Sequence, residues 1–397
     1  MENEKLTVSD RVIVYMVCAL ILVFTGGFFL SAKRDFSENE NRKLAQFPEY
    51  SFTALKEGRF TDGIKEYVTD QFPMRDEFLG IHSEALRMSG RKEIGGVYLA
   101  GDGSLINAYE EPKNIDKDIT QWTKLADNLT DARVSLMLVP TAVTVNKDRL
   151  PKQAPDRLAQ ELYERSGLLP EGKSPAAVQQ SDIDRIYSAM AGRADCIDVS
   201  AALKEDAEKA LFYRTDHHWT TYGAYIGYQC FCKSRGLTPT ALEAYTAETV
   251  TEEFQGTIYS KLNDPWFGSD SITLYSDPSW ELTVDYGDVG SDSPYDLSYL
   301  DMRDKYSLFL SNQHSFITIT NDAVPEERGA IALVKDSYAN CFVPFLLNHY
   351  HTVYIFDTRY YKGGPSKFIN EHPGITDVLI LYNMGTLDSD TGIGGIY

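Results

Sequence analysis

The group of side chains best suited to catalysis in this sequence is Asp216-His217-His218-Trp219, which holds two of the seven histidines. Its simplest interpretation is a capping cluster at the start of a predicted helix over residues 221–234. A metal site is a second interpretation, although neighbouring histidines rarely both reach one ion and no third ligand lies nearby in the sequence. The third is the Asp–His pair of a hydrolytic triad, in which the carboxylate fixes the imidazole tautomer and stabilises its cation.

A candidate nucleophile for such a pair is Ser337. It follows the apolar segment 329–334, a predicted strand, and it precedes a helical run from Tyr338 to Leu347. A serine in a strand-to-helix turn projects its hydroxyl above the carboxyl end of the sheet, and its backbone N–H can stabilise an oxyanion beside the positive end of the helix dipole. The same position also suits an ordinary helix N-cap, so both interpretations stay open.

Asn383 is the third polar residue predicted at this edge of the sheet. It follows the apolar segment 377–381, and its side-chain amide is a candidate for the second hydrogen bond to an oxyanion. Asparagine commonly ends strands, so this residue alone is weak support. The three features together match a serine esterase, which needs a nucleophile and an oxyanion donor on strand ends and an Asp–His pair on a loop.

The elements that must position these residues alternate along the chain. Helices are predicted at 115–129 and 181–191, and apolar strands at 134–139, 330–334, 353–356 and 378–381. This alternation predicts an α/β fold in which a parallel sheet forms the middle of three layers, with helices on both of its faces. The last three strands recur at a regular spacing and predict a βαβαβ unit with right-handed crossovers.

Residues 238–328 do not follow this alternation and are predicted to form an insertion. Within it, the stretch from Ser276 to Lys305 holds eight acidic residues among Gly, Ser, Pro and Tyr, which indicates a solvated loop or lid. A calcium loop is the alternative, but the spacing of Asp285, Asp288 and Asp292 is not that of an EF-hand.

The N-terminal segment is a candidate membrane anchor. The 19 residues from Val12 to Leu30 contain no charge. As a helix they would extend about 28 Å, close to the ~30 Å hydrocarbon core of a bilayer. A cleaved signal peptide is the alternative, but its apolar stretch is usually shorter, about 7–15 residues, and no A-x-A-like site follows Leu30. The predicted organisation is a tail and anchor over 1–34, a tether and helical cap over 35–92, and the α/β domain over 93–397.

Charge and cysteine content exclude further classes of function. The chain has 58 acidic and 38 basic residues, a net charge of −20, and no basic stripe, so it is not expected to bind nucleic acid. Cys18 lies in the predicted span, and Cys230 and Cys232 would project about 200° apart on a helix, too far to chelate one ion. No metal centre, disulfide framework or cofactor is therefore expected, although a bridge from Cys196 stays possible.

These residues resemble the DHHW proteins, named after the tetrad at Asp216–Trp219, and more broadly the SGNH-hydrolase-like acetyltransferases of the alginate O-acetylation type. The resemblance covers most of the chain, and the tetrad between its two threonines is the most specific motif. The other matching segments are the anchor, ENENRKL over 38–44, Asp70-Gln-Phe-Pro-Met-Arg75, Gly95-Gly-Val-Tyr98, Val139-Pro-Thr141 and Asp336-Ser337.

The resemblance implies a role for three of the candidate site residues, and position in the sequence suggests the others. Ser337 would be the nucleophile, His218 the general base and Asp216 the acid that orients it. Asn383 and the Ser337 N–H would form the oxyanion hole. The candidate substrate contacts are His217, Trp219, Arg359 and Tyr360.

Two departures from ordinary SGNH hydrolases qualify this assignment. Those enzymes place the nucleophile first, whereas Asp216 and His218 here precede Ser337, a permuted order that the alginate-type enzymes share. The usual glycine before Asp336-Ser337 is replaced by Lys335, and the glycine donor of the ordinary oxyanion hole has no clear counterpart. Arg359 or Tyr360 is the expected substitute for that donor.

The function implied by the resemblance is acyl transfer, typically of acetyl groups, to or from a hydroxyl of a cell-envelope or exopolysaccharide through an acyl-Ser337 intermediate. A membrane-bound O-acyltransferase is the expected acyl-supplying partner. The family implies a single-pass protein with a cytoplasmic tail and an extracytoplasmic C-terminal domain. The positive-inside rule weakly favours the opposite orientation, because more cations follow the span than precede it: Lys33, Arg34, Arg42 and Lys43 against Lys5 and Arg11.

A non-catalytic glycan-binding or assembly module on the same fold is the alternative function. In that case aromatic rings near Trp219, Trp266 and Trp280 would hold the glycan. If the site is catalytic, His218 must be neutral to act as a base, and its pKa is expected near neutrality.

Overall fold

The structure is a computed structural model that describes residues 7–37, 42–169, 178–287, 289–388 and 390–396. The chain divides into two compact units. The first comprises Met1–Ser89 with Ser260–Pro265, and the second comprises Gly90–Tyr259 with Trp266–Tyr397.

The first unit begins with a long apolar helix. Its helices are α1 (Val8–Leu30), α2 (Phe52–Lys56), α3 (Arg59–Asp70) and α4 (Arg75–Met88), and β1 (Phe36–Ser37) pairs antiparallel with β2 (Arg42–Lys43). Thr7 and Asp10 form a capping box at the start of α1, in which each side chain accepts a hydrogen bond from the other residue's backbone N–H. With 23 residues, α1 is long and apolar enough to be a candidate membrane span, as the sequence indicated.

Asp70, from the Asp70–Arg75 motif, has a structural role in this unit. Its buried carboxylate accepts two hydrogen bonds from Arg42, at 2.8 and 2.7 Å, and one from the Ala45 N–H at 2.8 Å. The bonds from Arg42 lower the pKa of Asp70 to about 2. The ionised carboxylate therefore ties the segment that follows α1 to the end of α3.

The second unit is built around one large sheet. Its helices are α5 (Ile115–Asn128), α6 (Ala142–Val145), α7 (Pro155–Ser166), α8 (Gln179–Met190), α9 (Ser200–Glu205), α10 (Thr221–Arg235), α11 (Thr257–Leu262), which begins in this unit, and α12 (Pro365–Glu371). Its strands are β3 (Glu93–Ile94), β4 (Val97–Leu99), β5 (Leu105–Asn107), β6 (Arg133–Val139), β7 (Asp195–Cys196), β8 (Thr246–Phe254), β9 (Asp270–Ser276), β10 (Leu282–Asp285), β11 (Gly290–Ser291), β12 (Phe316–Asn321), β13 (Ala330–Lys335), β14 (Thr352–Asp357) and β15 (Ile375–Asn383).

The central sheet has the strand order β11-β10-β12-β14-β13-β15-β6-β7. Neighbours from β14 to β7 are parallel, and β12, β10 and β11 add an antiparallel edge. In β6, Leu136 and Leu138 face one hydrophobic core, which α5, α8 and α12 cover, whereas Met137 and Val139 face a second core that contains α9 and α10. The predicted three-layer α/β fold is therefore confirmed.

The segment 238–328 is not simply an insertion outside the sheet, because it supplies β10, β11 and β12. In β12, Ile317 and Ile319 are buried and lie opposite Ile355 and Val353 of β14. The interpretation of 276–305 as a solvated loop is wrong for β10, whose Val284 is fully buried. Alternation of one buried and one partly exposed residue is typical of an antiparallel edge strand, and the acidic residues nearby masked this pattern.

The helical run after Ser337 also differs from the expectation. It consists of two short 3-10 helices, Ser337–Cys341 and Val343–Asn348, instead of one α-helix. Pro344 lies in the first turn of the second of them, and a proline in the interior of one long helix would remove a backbone donor and clash with the preceding turn.

Candidate active site

Ser337 lies in a rigid turn at the carboxyl end of β13. The preceding residue, Asp336, is buried, and its Oδ1 accepts a hydrogen bond from the Tyr338 N–H at 2.9 Å. Its Oδ2 accepts one from the Asn383 N–H at 2.7 Å and one from the Thr386 hydroxyl. These bonds join the turn to the end of β15 and leave the Ser337 side chain partly exposed.

The structure brings Ser337, His218 and Asp216 together in one hydrogen-bonded chain. The Ser337 Oγ lies 2.7 Å from His218 Nε2, and His218 Nδ1 lies 2.6 Å from Asp216 Oδ1. The same Asp216 oxygen accepts the His218 backbone N–H at 2.9 Å. Asp216 and His218 are both buried, so the carboxylate can fix the imidazole with its Nδ1 protonated and its Nε2 facing the serine.

The second oxygen of Asp216 is held by Thr257, a residue that the sequence did not single out. Asp216 Oδ2 accepts the Thr257 N–H at 2.7 Å and its hydroxyl at 2.9 Å. The preceding residue is Gly256, where a Cβ would lie only 2.2 Å from Asp216 Cβ and 2.3 Å from Oδ2. The turn between β8 and α11 therefore fits the carboxylate only because residue 256 has no side chain.

His217 is connected to the same carboxylate through Thr257. Its Nδ1 lies 2.7 Å from the Thr257 Oγ1. Because an ionised carboxylate can only accept, the Thr257 hydroxyl donates to Asp216, and the His217 Nδ1–H must donate to Thr257. The side chain of His217 is 31% exposed, so its ring lies at the mouth of the site.

Tyr306 is a second residue that the sequence did not identify. Its ring stacks on the His218 imidazole with the two centroids 3.8 Å apart and the planes at 10°. Its hydroxyl donates to the Ser337 carbonyl oxygen at 3.1 Å. Tyr306 therefore contacts both the base and the turn that carries the nucleophile. In the sequence Tyr306 directly follows the acidic stretch 276–305, and no motif or spacing identifies it as a site residue.

Trp219 is not a substrate contact, which corrects the expectation from the sequence. The side chain is fully buried, and its Nε1–H donates to the Tyr338 carbonyl oxygen at 2.8 Å. Its ring stacks on Phe342, and a Cβ on Gly227 would lie 2.9 Å from it. The indole packs the Asp–His segment against the turn after Ser337. Of the other two rings considered for a glycan, Trp266 is 70% exposed, and the partly buried Trp280 donates to Asn348.

Asn383 is buried, and its side chain makes hydrogen bonds to the backbone at the edge of the sheet. Its Nδ2 donates to the Val139 carbonyl oxygen at 3.1 Å, and its Oδ1 accepts the Gly385 N–H at 2.8 Å. These contacts direct the amide towards β6 and do not favour it as an oxyanion donor. The Ser337 N–H, in contrast, donates to no acceptor among the described residues.

Arg359 and Tyr360 follow the end of β14. Arg359 Nε and Nη2 donate to the two oxygens of the buried Asp357, at 2.8 and 2.6 Å, and Lys335 Nζ lies 3.2 Å from the same carboxylate. The guanidinium is partly exposed and contributes to lowering the pKa of His218. Tyr360 is 42% exposed and its hydroxyl donates to Gln313. The structure therefore leaves both side chains accessible.

Burial and mutual charges set the protonation of the site. Burial, followed by the charge on His217, lowers the pKa of His218 to about 4. Burial acts against ionisation of Asp216, but the two histidines outweigh it and hold the pKa of Asp216 well below its usual range. Asp216 in turn outweighs burial at His217 and raises its pKa. Burial of the ring next to a second imidazole therefore favours a pKa of His218 below the neutral range expected from the sequence.

Asp216, His217 and His218 are also the side chains that could hold a metal ion, since one ligand atom of each lies within 4.8 Å of the others. Both oxygens of Asp216 and both ring nitrogens of His218 already make hydrogen bonds within the protein. Binding an ion here would break these bonds, so the set suits proton transfer better than coordination. The five cysteines are free, and none of the described pairs forms a disulfide.

Comparison with known proteins gives one family and several similar structures. The model of the DHHW protein family matches residues 173–356, which include the tetrad and Ser337. A DHHW family protein from Eubacterium siraeum is 23% identical, with a TM-score of 0.61 over 76% of this chain and 95% of that chain. Bacillus cereus PatB1 with a sulfonyl adduct is 17% identical, with a TM-score of 0.58 over 77% of this chain and 100% of that chain.

The O-acetyltransferase domain of Pseudomonas putida AlgJ is 15% identical, with a TM-score of 0.41 over 74% of this chain and 92% of that chain. None of the curated proteins compared with the chain matches it. The likenesses to the Eubacterium siraeum and Bacillus cereus proteins show a shared fold, in agreement with the predicted α/β architecture. The match of the DHHW family model to residues 173–356 agrees with the resemblance drawn from the sequence.

Proposed function

We propose that this protein is a membrane-anchored serine acyltransferase that moves an acyl group, typically acetyl, to a hydroxyl of a cell-envelope polysaccharide or exopolysaccharide. The observation that carries the proposal is the chain of two short hydrogen bonds from Ser337 through His218 to Asp216, at 2.7 and 2.6 Å. A partly exposed serine at the end of such a chain is an activated nucleophile. The lowered pKa of His218 keeps the base neutral at physiological pH.

The reaction proceeds in two steps through an acyl-Ser337 intermediate. His218 Nε2 takes the Ser337 hydroxyl proton as Oγ bonds to the acyl carbonyl carbon, and the same nitrogen then gives the proton to the leaving group of the donor. In the second step His218 removes the proton from a sugar hydroxyl, whose oxygen bonds to the acyl carbon. The bond to Ser337 breaks, and Oγ recovers its proton from His218.

The Ser337 N–H is the oxyanion donor that the structure supports best, since it has no other acceptor among the described residues. Arg359 takes the place of the second donor. Its Nε and Nη2 donate to Asp357, which fixes the plane of the guanidinium. Its Nη1 makes no hydrogen bond to the residues that the structure describes. A positive charge fixed near the site stabilises the developing oxyanion. His217 and Tyr360 lie at accessible positions and serve as contacts for the acceptor.

The anchor and the family resemblance favour transfer over hydrolysis. In this proposal α1 crosses the membrane, the second unit is extracytoplasmic, and a membrane-bound O-acyltransferase supplies the acyl group from the other side. The proposed orientation contradicts the weak charge asymmetry around the span. Protease treatment of intact cells distinguishes the two orientations, because an external second unit is digested and an internal one is protected.

The proposal is tested by trapping the acyl-enzyme. The full chain is incubated with a chromogenic acetyl ester, quenched in acid and analysed by peptide mass spectrometry. We expect an acetyl group on Ser337 that is absent in His218→Gln, and faster release of the chromophore when polysaccharide is added as acceptor. Turnover by water alone, with no acceleration when polysaccharide is added, would indicate an esterase. A folded protein without any adduct would contradict catalysis and favour the glycan-binding module, for which the exposed Trp266 is the remaining candidate ring.

A further inference from the structure

The helices α2–α4 of the first unit expose apolar side chains that the protein does not cover. Among the described apolar side chains of this unit, only Leu44, Ala54 and Leu262 are buried. The residues that remain largely exposed outside α1 include Phe47, Tyr50, Phe52, Met74 and Ile81, each more than 60% exposed. Exposed apolar patches of this kind mark contacts with another surface, because a self-contained helical unit would bury them in a core.

Aromatic contacts connect this surface to α1. The Phe24 ring of α1 lies 5.5 Å from Phe72 and 5.4 Å from Phe78. A second series of contacts begins at Phe28, whose ring centroid lies 5.7 Å from that of Tyr67. Tyr67 in turn lies 5.5 Å from Phe47. These contacts connect the exposed Phe47 to the apolar surface of the candidate membrane span.

The position of these contacts along α1 sets their depth. Phe24 lies six residues before Leu30, which ends the helix, and this separation corresponds to about 9 Å at ~1.5 Å per residue. Side chains that pack on Phe24 therefore lie level with the last two turns of α1. If α1 crosses a bilayer, that level is the boundary between acyl chains and headgroups, where aromatic side chains are favoured.

Lys33 is placed as expected at such a boundary. Its ammonium group lies 3.6 Å from the centre of the Phe28 ring and donates to the Phe28 carbonyl oxygen at the end of α1. Lysines that flank a span commonly lay their apolar stem along it and keep the charge in the headgroup layer. Lys33 thus marks the same level as the aromatic contacts.

We propose that α2–α4 and the segment before them form an interfacial foot, in which the surface of Phe47, Tyr50, Phe52, Met74 and Ile81 is immersed in the lipid leaflet where α1 ends. The occupant of this surface is the headgroup–acyl boundary of the bilayer. The inference rests on the proposed anchoring through α1 and adds a second membrane contact to it. Residues 42–89 then lie on the membrane, within the region 35–92 that the sequence assigned to a tether and helical cap.

The test is photo-crosslinking of the full chain in phosphatidylcholine nanodiscs that contain a lipid with a diazirine near its headgroup. Labelled peptides are mapped by mass spectrometry. We expect lipid adducts on α1 and on the peptides of the interfacial foot. The matched control is Leu158, Leu168 and Leu169, which are exposed apolar residues of the second unit and are expected to remain unlabelled.

A pair of substitutions tests whether the labelling depends on the exposed apolar side chains. Phe52→Asp is expected to abolish the adduct on its own peptide, whereas Leu158→Asp should leave the pattern unchanged. Adducts on α1 without any on the foot would overturn the inference and leave the anchoring intact. Absence of adducts from both regions would overturn the anchoring as well. Equal labelling of the foot and the control leucines would also contradict the proposal, because it would show general adhesion to lipid.

Discussion

The two ends of the proposed triad are held by different kinds of structure. Ser337 is placed by the regular, parallel part of the sheet. Its turn is fixed through Asp336, which bonds to the Asn383 N–H at the end of β15 and to the hydroxyl of Thr386 just beyond it. All of these residues lie at or beside the carboxyl ends of neighbouring parallel strands, where open α/β folds place their sites.

Asp216 and His218 are instead held by the segment between β8 and β12, which departs from the alternation of helix and strand. Gly256 gives the carboxylate room, Thr257 bonds to its second oxygen, and Tyr306 stacks on the imidazole. The acid and the base therefore depend on residues that are not part of the parallel core. Changes in this segment should disable the base while they leave the sheet and the nucleophile in place.

The largest effect is expected for Gly256→Ala. The new Cβ would lie 2.2 Å from Asp216 Cβ, so the carboxylate must move and its bond to His218 must break. Loss of the orienting acid costs up to ~10⁴ in rate in serine enzymes, and we expect a fall in acetyl-ester turnover of about 100-fold or more. Overpacking also costs about 1–3 kcal/mol of stability, which thermal unfolding measures.

Gly101→Ala is the matched control for this substitution. A Cβ at residue 101 would meet no atom within 4 Å, so turnover and stability should stay close to those of the natural chain. Full activity of Gly256→Ala in a folded protein would contradict the view that this segment positions Asp216.

A smaller effect is expected for Thr257→Val. The substitution removes the hydroxyl that donates to Asp216 Oδ2 and keeps the backbone N–H bond to the same oxygen. A hydrogen bond to a charged group contributes about 1.5–3 kcal/mol, so kcat should fall roughly 10- to 100-fold with little change in KM. Thr257→Ser restores the hydroxyl and should restore kcat. An equal loss in both variants would show that the residue acts through packing and not through its hydroxyl.

The smallest effect at neutral pH is expected for His217→Asn, which changes the pH dependence. In the natural chain the pKa of His218 is about 4, so turnover should be flat from pH 8 to about 5 and fall below that. A positive charge on His217 disfavours a second charge on His218. Its removal should therefore raise the pKa of His218 and move the acidic fall in turnover to higher pH. An unchanged acidic limb would show that burial alone lowers the pKa of His218.

The comparison also explains what the sequence could predict. Strands β6 and β13–β15 were recognisable because buried parallel strands are continuous apolar runs. Polar residues that directly follow such strands meet at one edge of the sheet, which placed Ser337 correctly relative to the core. The tetrad supplied Asp216 and His218 by motif, and the structure places them within hydrogen-bond distance of the serine.

The residues that hold the acid and base could not be predicted in the same way. Gly256, Thr257 and Tyr306 lie in segments without a simple period, and their contact with Asp216 and His218 arises only from the tertiary fold. Residue type was a poor guide for Trp219 and Asn383. An aromatic ring and an amide suggested ligand contacts, but burial and existing hydrogen bonds assign both to packing and to the sheet edge.

The most direct test of the account is the reaction of Ser337 with a serine-directed fluorophosphonate. Its oxygen displaces fluoride from phosphorus only if His218 accepts the proton, so labelling reports nucleophile and base together. The account predicts one adduct per chain, located on Ser337, lost in Ser337→Ala and strongly slowed in His218→Ala. A folded chain that remains unlabelled, or a label on Ser337 that forms equally fast without His218, would contradict it.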